Sequence, residues 1–224
     1  MRAGVMPLRI LAIDAAQRHA SVTLVADGVA LAVRAGAPET GLAEMLAVWV
    51  GECLDEGGVV PGALDAIGVT IGPGSFTGLR ASIALAQGLG LAADVPVHGI
   101  SMGEAFGAAL PLLQRPLWVA LTARRGRVFL ERDGVAAGFD EADLPQPDGP
   151  IALAGEQAGA VAARLAARGN DVMLTDARYC SGTAIAAALR RRVAAGLPMR
   201  PAMPLYVDPP EAKLPAGGLR PAPI

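Results

Sequence analysis

The chain begins with apolar blocks of strand length, not with a helical repeat. Residues 8–14 (LRILAID) form a nearly continuous apolar run ending in a carboxylate, the pattern of a buried strand. Residues 20–26 (ASVTLVA) follow, then Asp27-Gly28, then residues 29–33. An Asp-Gly pair between two β-prone runs signals a hairpin, so three consecutive antiparallel strands are predicted.

The period then changes. From Glu39-Thr40 to about Asp55, Leu42, Met45, Leu46, Trp49, Val50 and Cys53 recur at helical spacing, with Glu44 and Glu52 off that stripe. Gly57-Gly58 ends this helix. Residues 64–71 (LDAIGVTI) read as a strand, followed by Gly72-Pro73-Gly74-Ser75-Phe76-Thr77-Gly78-Leu79-Arg80 and a helix over 76–93. A short strand over 95–100 leads to Ser101, which with Glu104 has the spacing of a capping box.

The second half repeats the theme with less material. Strands are predicted over 117–122 and 127–132, a turn at Asp133-Gly134 and an exposed loop over 140–150. A strand over 151–154, a helix over 156–168, a strand over 172–175 and a helix over 183–194 come next. From Leu197 onward recurring prolines predict an extended tail. This order implies two related α/β lobes, residues 1–103 and 104–224, and not a uniformly alternating parallel fold.

Composition narrows the class. Of 224 residues 53% are apolar and only 4% aromatic, so cores are built from small and aliphatic groups. The longest uncharged stretch near the glycine motif, residues 81–93, is too short for a bilayer core of about 30 Å. No export signal is recognised, and a cytoplasmic protein is expected. A net charge of −2 does not suggest a chain that grips nucleic acid alone. Arg124/Arg125/Arg127 and Arg190/Arg191/Arg192 read as solvated loop or helix ends. Cys53 and Cys180, in apolar contexts and without a CxxC, read as buried reduced thiols.

The glycine turn is the main chemical candidate. A turn between strand and helix offers backbone N–H groups and a helix dipole to an anion. Asp14 at the end of the first strand, with Gly72, Gly74 and Ser75, forms a weak candidate nucleotide or anion site. The spacing G-x-G-x-x-x-G nonetheless fits neither the dinucleotide fingerprint nor a P-loop. Asp14-Ala15-Ala16-Gln17 also lacks the glycine that would admit a phosphate. Only His19 and His98 are present, without HxxxH or HExxH, so no metal ligand set and no catalytic residue is assigned.

The helix after the turn carries a second candidate. Ala84, Gly88 and Ala92 lie four apart on one face, while Phe76, Leu79, Ile83 and Ala86 form another stripe. Gly88 and Gly90 cost about 1 kcal/mol each relative to alanine inside a helix. Close approach of another backbone would account for that cost, from the same chain or from a partner.

Several motifs together resemble one family. Leu11-Ala12-Ile13-Asp14, Leu64-Asp65-Ala66-Ile67, the block from Gly72 to Arg80, Ala86-Gln87-Gly88-Leu89-Gly90-Leu91 and Gly99-Ile100-Ser101 resemble the TsaB (YeaZ) family, over roughly residues 8–130. Residues 123–129 look like its Asp-Ala-Arg-Arg-x-Glu-Val-Tyr, with departures at Thr122, Arg127 and Phe129. Leu205-Tyr206-Val207 after Pro204 looks like its Pro-x-Tyr-Leu-Arg, and Glu39-Thr40-Gly41-Leu42 replaces its usual entry to the first helix.

The resemblance implies a two-lobed actin/Hsp70/sugar-kinase-like (ribonuclease-H-like) α/β fold with a reduced second lobe. It implies a non-catalytic subunit of the bacterial machinery that makes N6-threonylcarbamoyladenosine in tRNA. The paralogue TsaD would perform the transfer and the ATPase TsaE would bind the pair, so ATP and metal belong on partner subunits. Docking would use Phe76, Leu79, Arg80, Ile83, Ala84, Gln87, Gly88 and Leu91, with a homodimer when the chain is alone and tRNA met only through the complex. An ATP-binding small kinase or ATPase using Asp14 and the glycine turn is the alternative. A glycoprotease-like peptidase comes last, because histidines are scarce.

Overall fold

The computed structural model describes residues 8–38, 40–124 and 126–207. Two five-stranded sheets share one plan. In the first, β1 (Arg9–Asp14), β2 (Ala20–Ala26) and β3 (Val29–Gly36) form an antiparallel meander, and β4 (Ala66–Gly72) and β5 (Val97–Ser101) add in parallel beside β1, giving the order β3-β2-β1-β4-β5. In the second, β6 (Leu117–Thr122), β7 (Arg127–Arg132) and β8 (Val135–Asp140) are the meander. There β9 (Ile151–Ala154) and β10 (Val172–Leu174) add in parallel beside β6.

Both meanders turn on the same dipeptide. Asp27-Gly28 and Asp133-Gly134 each place two successive residues at positive φ, the geometry that matches the twist of the flanking strands. The sequence reading placed a turn at Asp133-Gly134 but assigned no strand after it. The structure shows β8 there, its Ala-Ala-Gly centre carrying little β propensity and held by pairing with β7.

Helix α1 (Leu42–Glu56) begins later than the periodicity suggests, because Gly41 adopts φ 69° and breaks the helical path; Glu39 lies outside the described residues. The Gly72–Pro73 peptide is cis, and α2 (Phe76–Ala93) runs over the predicted span. Helix α3 (Met102–Ala109) carries the predicted capping box of Ser101 and Glu104. The second half adds α4 (Ala158–Ala167) and α5 (Gly182–Ala194).

Packing does not follow chain order throughout. Helices α1 and α2 cover one side of the first sheet, whereas α5 returns from the second half to pack on β1, β2 and β4. Gly68 and Gly182 are the points of closest approach. A Cβ on Gly68 would stand 3.1 Å from Ile185, and one on Gly182 would collide with Thr23. The division at residue 103 separates the two sheets, yet α5 belongs structurally to the first. Strand β6 links the lobes: Val119 and Leu121 join the main core with Phe106, while Trp118 and Ala120 face a smaller core of Leu130, Val161 and Leu165. This alternation is the period of two expected of a strand buried on both faces.

Polar groups also join the lobes. Glu131 of β7 is buried against the start of α3, where Ser101 Oγ and the Gly103 N–H donate to it at 2.5 and 2.6 Å. Its carboxyl is held above the usual range, mainly by burial, against these two hydrogen bonds. Arg192, assigned from sequence to a solvated helix end, is instead paired with Glu104 and ties α5 to α3. Among the described residues no helix is long and apolar enough to cross a membrane.

Candidate functional site

Asp14 ends β1 at the centre of the first sheet and is fully buried. Thr70 Oγ1 and the Ala16 N–H donate to its Oδ1 at 2.6 and 2.9 Å, while Oδ2 has no partner among the described residues. Burial pushes its pKa up to about 6, outweighing the two hydrogen bonds that act in the opposite direction; the Glu156 charge adds to the rise. No surface of this carboxyl reaches solvent, so it is placed as a buried structural acid and not as a ligand facing a substrate.

The glycine turn faces the solvent at Ser75 but is packed from within. The Ser75 N–H donates to Ala16 O at 2.7 Å, and Ser75 Oγ accepts from the Gly78 N–H at 3.1 Å as the N-cap of α2. Cβ atoms on Gly74 and Gly78 would collide with the carbonyl oxygens of Ala16 and Ala15, respectively. Of two donors that an anion would need, the Ser75 N–H is therefore taken by the Ala16 carbonyl and the Gly78 N–H by the Ser75 hydroxyl, and the glycines make room for the 15–16 backbone. The candidate anion site of Asp14, Gly72, Gly74 and Ser75 is corrected on this ground: the peptide occupies the cradle.

The candidate docking residues separate by face. Leu79 and Ile83 are each only 4% exposed and pack into the core, Leu79 against Gly72. As parts of an external surface these two are corrected, because the helix turns them inward. Phe76, Arg80, Ala84, Gln87, Gly88 and Leu91 are exposed, Leu91 to 88%. Gly90 packs closely on Val95 and Val97, which accounts for its missing side chain. Gly88, like Gly51 of α1, has nothing among the described residues within 4 Å of where a Cβ would stand, so no contact among them accounts for it.

The tail contributes more than an extended stretch. Residues 199–207 cross the first lobe as a strap. The Gly99 N–H donates to Arg200 O, Gln87 Nε2 to Ala202 O, and the Leu205 N–H to Ile71 O, at 2.9, 2.8 and 2.7 Å. Arg80 then donates through Nε and Nη2 to Tyr206 Oη, at 3.1 and 3.0 Å, with its guanidinium 3.7 Å from the Phe76 ring centre. Prolines in the sequence identified an extended tail, but nothing local specified that it would return to α2.

Between the lobes lies a cleft of about 860 Å³. The 16–18 loop, the start of α2 and the strap form one wall; Thr122–Arg124, Phe129 and Glu156 form the other. Its electrostatics come from Arg18, Arg80 and Arg124 against Glu156. Glu156 is itself engaged, accepting from the Thr122 N–H at 3.0 Å. Sequence reasoning singled out neither Arg18 nor Glu156, since each is an isolated charge in a loop. The thiols of Cys53 and Cys180 are free and buried, both with pKa raised by burial.

Two lobes built on one repeated sheet plan, facing each other across a cleft, define the actin/Hsp70/sugar-kinase-like class. YeaZ from Pseudomonas aeruginosa superimposes with a TM-score of 0.72 at 25% identity, over 88% of this chain and 99% of that one. The component A of (R)-2-hydroxyglutaryl-CoA dehydratase from Acidaminococcus fermentans shares the fold at a TM-score of 0.50 and 12% identity, over 84% and 99% of the two chains. The family described as "TsaD: tRNA N6-adenosine threonylcarbamoyltransferase" matches residues 39–196.

The chain belongs to this family, and its similarities place it with the TsaB (YeaZ) proteins. It is 37% identical over 124 residues to the tRNA threonylcarbamoyladenosine biosynthesis protein TsaB of Escherichia coli, covering 54% of this chain and 53% of that protein. It is 34% identical over 139 residues to that of Haemophilus influenzae, covering 60% and 58%. The matched regions thus span little more than half the length of these curated relatives.

Proposed function

We propose that this chain is a non-catalytic scaffold subunit in the formation of N6-threonylcarbamoyladenosine in tRNA. In this reading it docks on the catalytic TsaD subunit through the exposed face of α2. The ATPase TsaE then binds the pair, and ATP and metal are held by these partners. The names of the curated relatives support the process. The observation that carries the docking role is Gly88, a helix-interior glycine on an exposed face that nothing among the described residues approaches within 4 Å. A residue costing about 1 kcal/mol relative to alanine fits a position where a second helix comes close.

The ATPase alternative finds no support in the geometry around Asp14. The backbone of Ala16 takes the Ser75 N–H, and the carboxylate is fully buried.

The test is co-elution of the chain with TsaD of the same organism on gel filtration. Gly88→Trp fills the open position and Leu91→Glu puts a charge at the most exposed apolar site of α2. Both variants are expected to fold with unchanged circular dichroism and to lose co-elution. Co-elution of both variants at the parent level would overturn the docking face.

A further inference from the structure

We propose that Glu131 is an interlobe clasp: its carboxylate, carried by the second lobe, grips the start of α3 in the first and fixes the angle at which the lobes meet. The role follows from where the chain changes lobes and from what spans the boundary there. The chain crosses twice. The first crossing lies within 110–115, because the Pro116 carbonyl already accepts from the Ala152 N–H and Arg115 pairs with Asp171, both in the second lobe. The return is sharper. The Ala177 carbonyl accepts from the Gly155 N–H of the second lobe, whereas the next carbonyl, that of Arg178, accepts from Gln17 Nε2 of the first. Gln17 Oε1 also accepts from the Cys180 N–H at 2.8 Å, so the chain is fastened to the first lobe directly after residue 177. Two short crossings, one of them a single peptide link, are the form of a hinge.

Apolar packing crosses the same boundary, since Val119 and Leu121 of β6 join the main core with Phe106. Such contact is non-directional and resists sliding weakly. Glu131 supplies the direction. It is 2% exposed, and it accepts through Oε1 from Ser101 Oγ and through Oε2 from the Gly103 N–H. Both donors belong to the start of α3, where the helix dipole favours a carboxylate. Gly103 suits the grip, because a Cβ there would stand 2.5 Å from Glu131 Oε1. Side chains alternate along β7, so Phe129 and Glu131 both face the first lobe. Phe129 lines the interlobe cleft, and Glu131 lines a separate notch of about 220 Å³ with Gly103, Leu117 and Val119. A change of lobe angle at Glu131 therefore alters the width of the cleft at Phe129.

The test reads the distance between the lobes of the full chain by pulsed electron double resonance. Spin labels are placed on Asp55→Cys in α1 and Ala163→Cys in α4, both exposed positions. Cys53 and Cys180 are buried and stay unlabelled. The labelled parent is expected to give one narrow distance. Glu131→Ala removes both acceptors and is expected to replace that distance with a broad distribution, at unchanged circular dichroism. Glu131→Gln keeps an acceptor for the Gly103 N–H and is expected to retain the narrow distance. Gly103→Ala puts a methyl where the carboxylate seats; it is expected to broaden the distribution when Glu131 is present and to add nothing to Glu131→Ala. That non-additivity separates a direct contact from two independent losses of stability. If Glu131→Ala does not fold, Gly103→Ala against the parent decides. A broad distribution in the parent, the parent's narrow distance in Gly103→Ala, or equal broadening by Gly103→Ala with and without Glu131 would each overturn the clasp.

Discussion

The turn that opens α2 and the outer face of that helix are adjacent in sequence and opposite in character. At the turn, Gly74 and Gly78 are pressed against the 15–16 backbone, and Ser75 caps the helix while its N–H is taken by Ala16. On the outer face, Gly88 meets nothing among the described residues and Leu91 is exposed. The same residue type thus has two causes within one element. Glycine at the turn is required by what is already packed there, whereas glycine on the face meets no contact among the described residues that would require it. A glycine-rich turn before a helix therefore says that something approaches closely, but only the packing says whether that is a ligand or the chain's own peptide.

The sharpest way to break this contrast is Gly78→Ala. The new methyl would collide with the Ala15 carbonyl, a backbone atom anchored at the end of β1 and unable to swing aside. The gain in helix propensity, about 1 kcal/mol, is smaller than the expected overpacking cost. We expect a net loss of at least about 3 kcal/mol in urea unfolding, or failure to fold. A variant as stable as the parent would mean that the 15–16 loop does not pack on the turn.

The second effect is electrostatic and belongs to the same enclosed region. Asp14 has a folded-state pKa of about 6, against 3.8 for the ordinary group. A raised pKa favours the protonated form in the fold. Its stabilising contribution is therefore complete below pH 3.8 and is lost as pH rises through about 6. The difference is on the order of 3 kcal/mol. Asp14→Asn keeps an oxygen for Thr70 and Ala16 and carries no charge. Its unfolding free energy should vary less with pH than the parent's between about pH 4 and pH 7. Glu131 is also raised, but it is present in both proteins and cancels in the comparison. Parallel pH profiles would show that Asp14 is solvated and that the turn is open.

Much of the first lobe was legible because its signals are local. The run into Asp14, the Asp27-Gly28 hairpin, the Ser101–Glu104 box and the full span of α2 depend on residues near one another in sequence. The face of each α2 residue was less legible. Leu79 and Ile83 satisfy a helical stripe equally well for an external partner or for the core, and only the sheet beneath them decides. The site features that escaped were non-local. Arg80 meets Tyr206 across 126 positions, and Gln17 meets Cys180 across 163. Neither the strap nor the cleft it borders has a spacing that sequence inspection could detect. The strand β8 escaped for another reason, since its Ala-Ala-Gly centre lacks the branched residues by which strands are recognised.

The smallest expected effect is also the one that distinguishes the two kinds of glycine most directly. Gly88→Ala adds one methyl where nothing lies within 4 Å, inside a helix running from Phe76 to Ala93. No strain opposes it, and alanine is the better helix former, so the isolated chain should gain about 1 kcal/mol in urea unfolding. If a partner helix approaches this face as closely as proposed, the same methyl intrudes there and association with TsaD should weaken. Stability and association then move in opposite directions for one substitution. A gain in stability with unchanged association would leave Gly88 without a docking role. A loss of stability would mean that the outer face is packed by the chain itself, and the contrast with Gly78 would disappear.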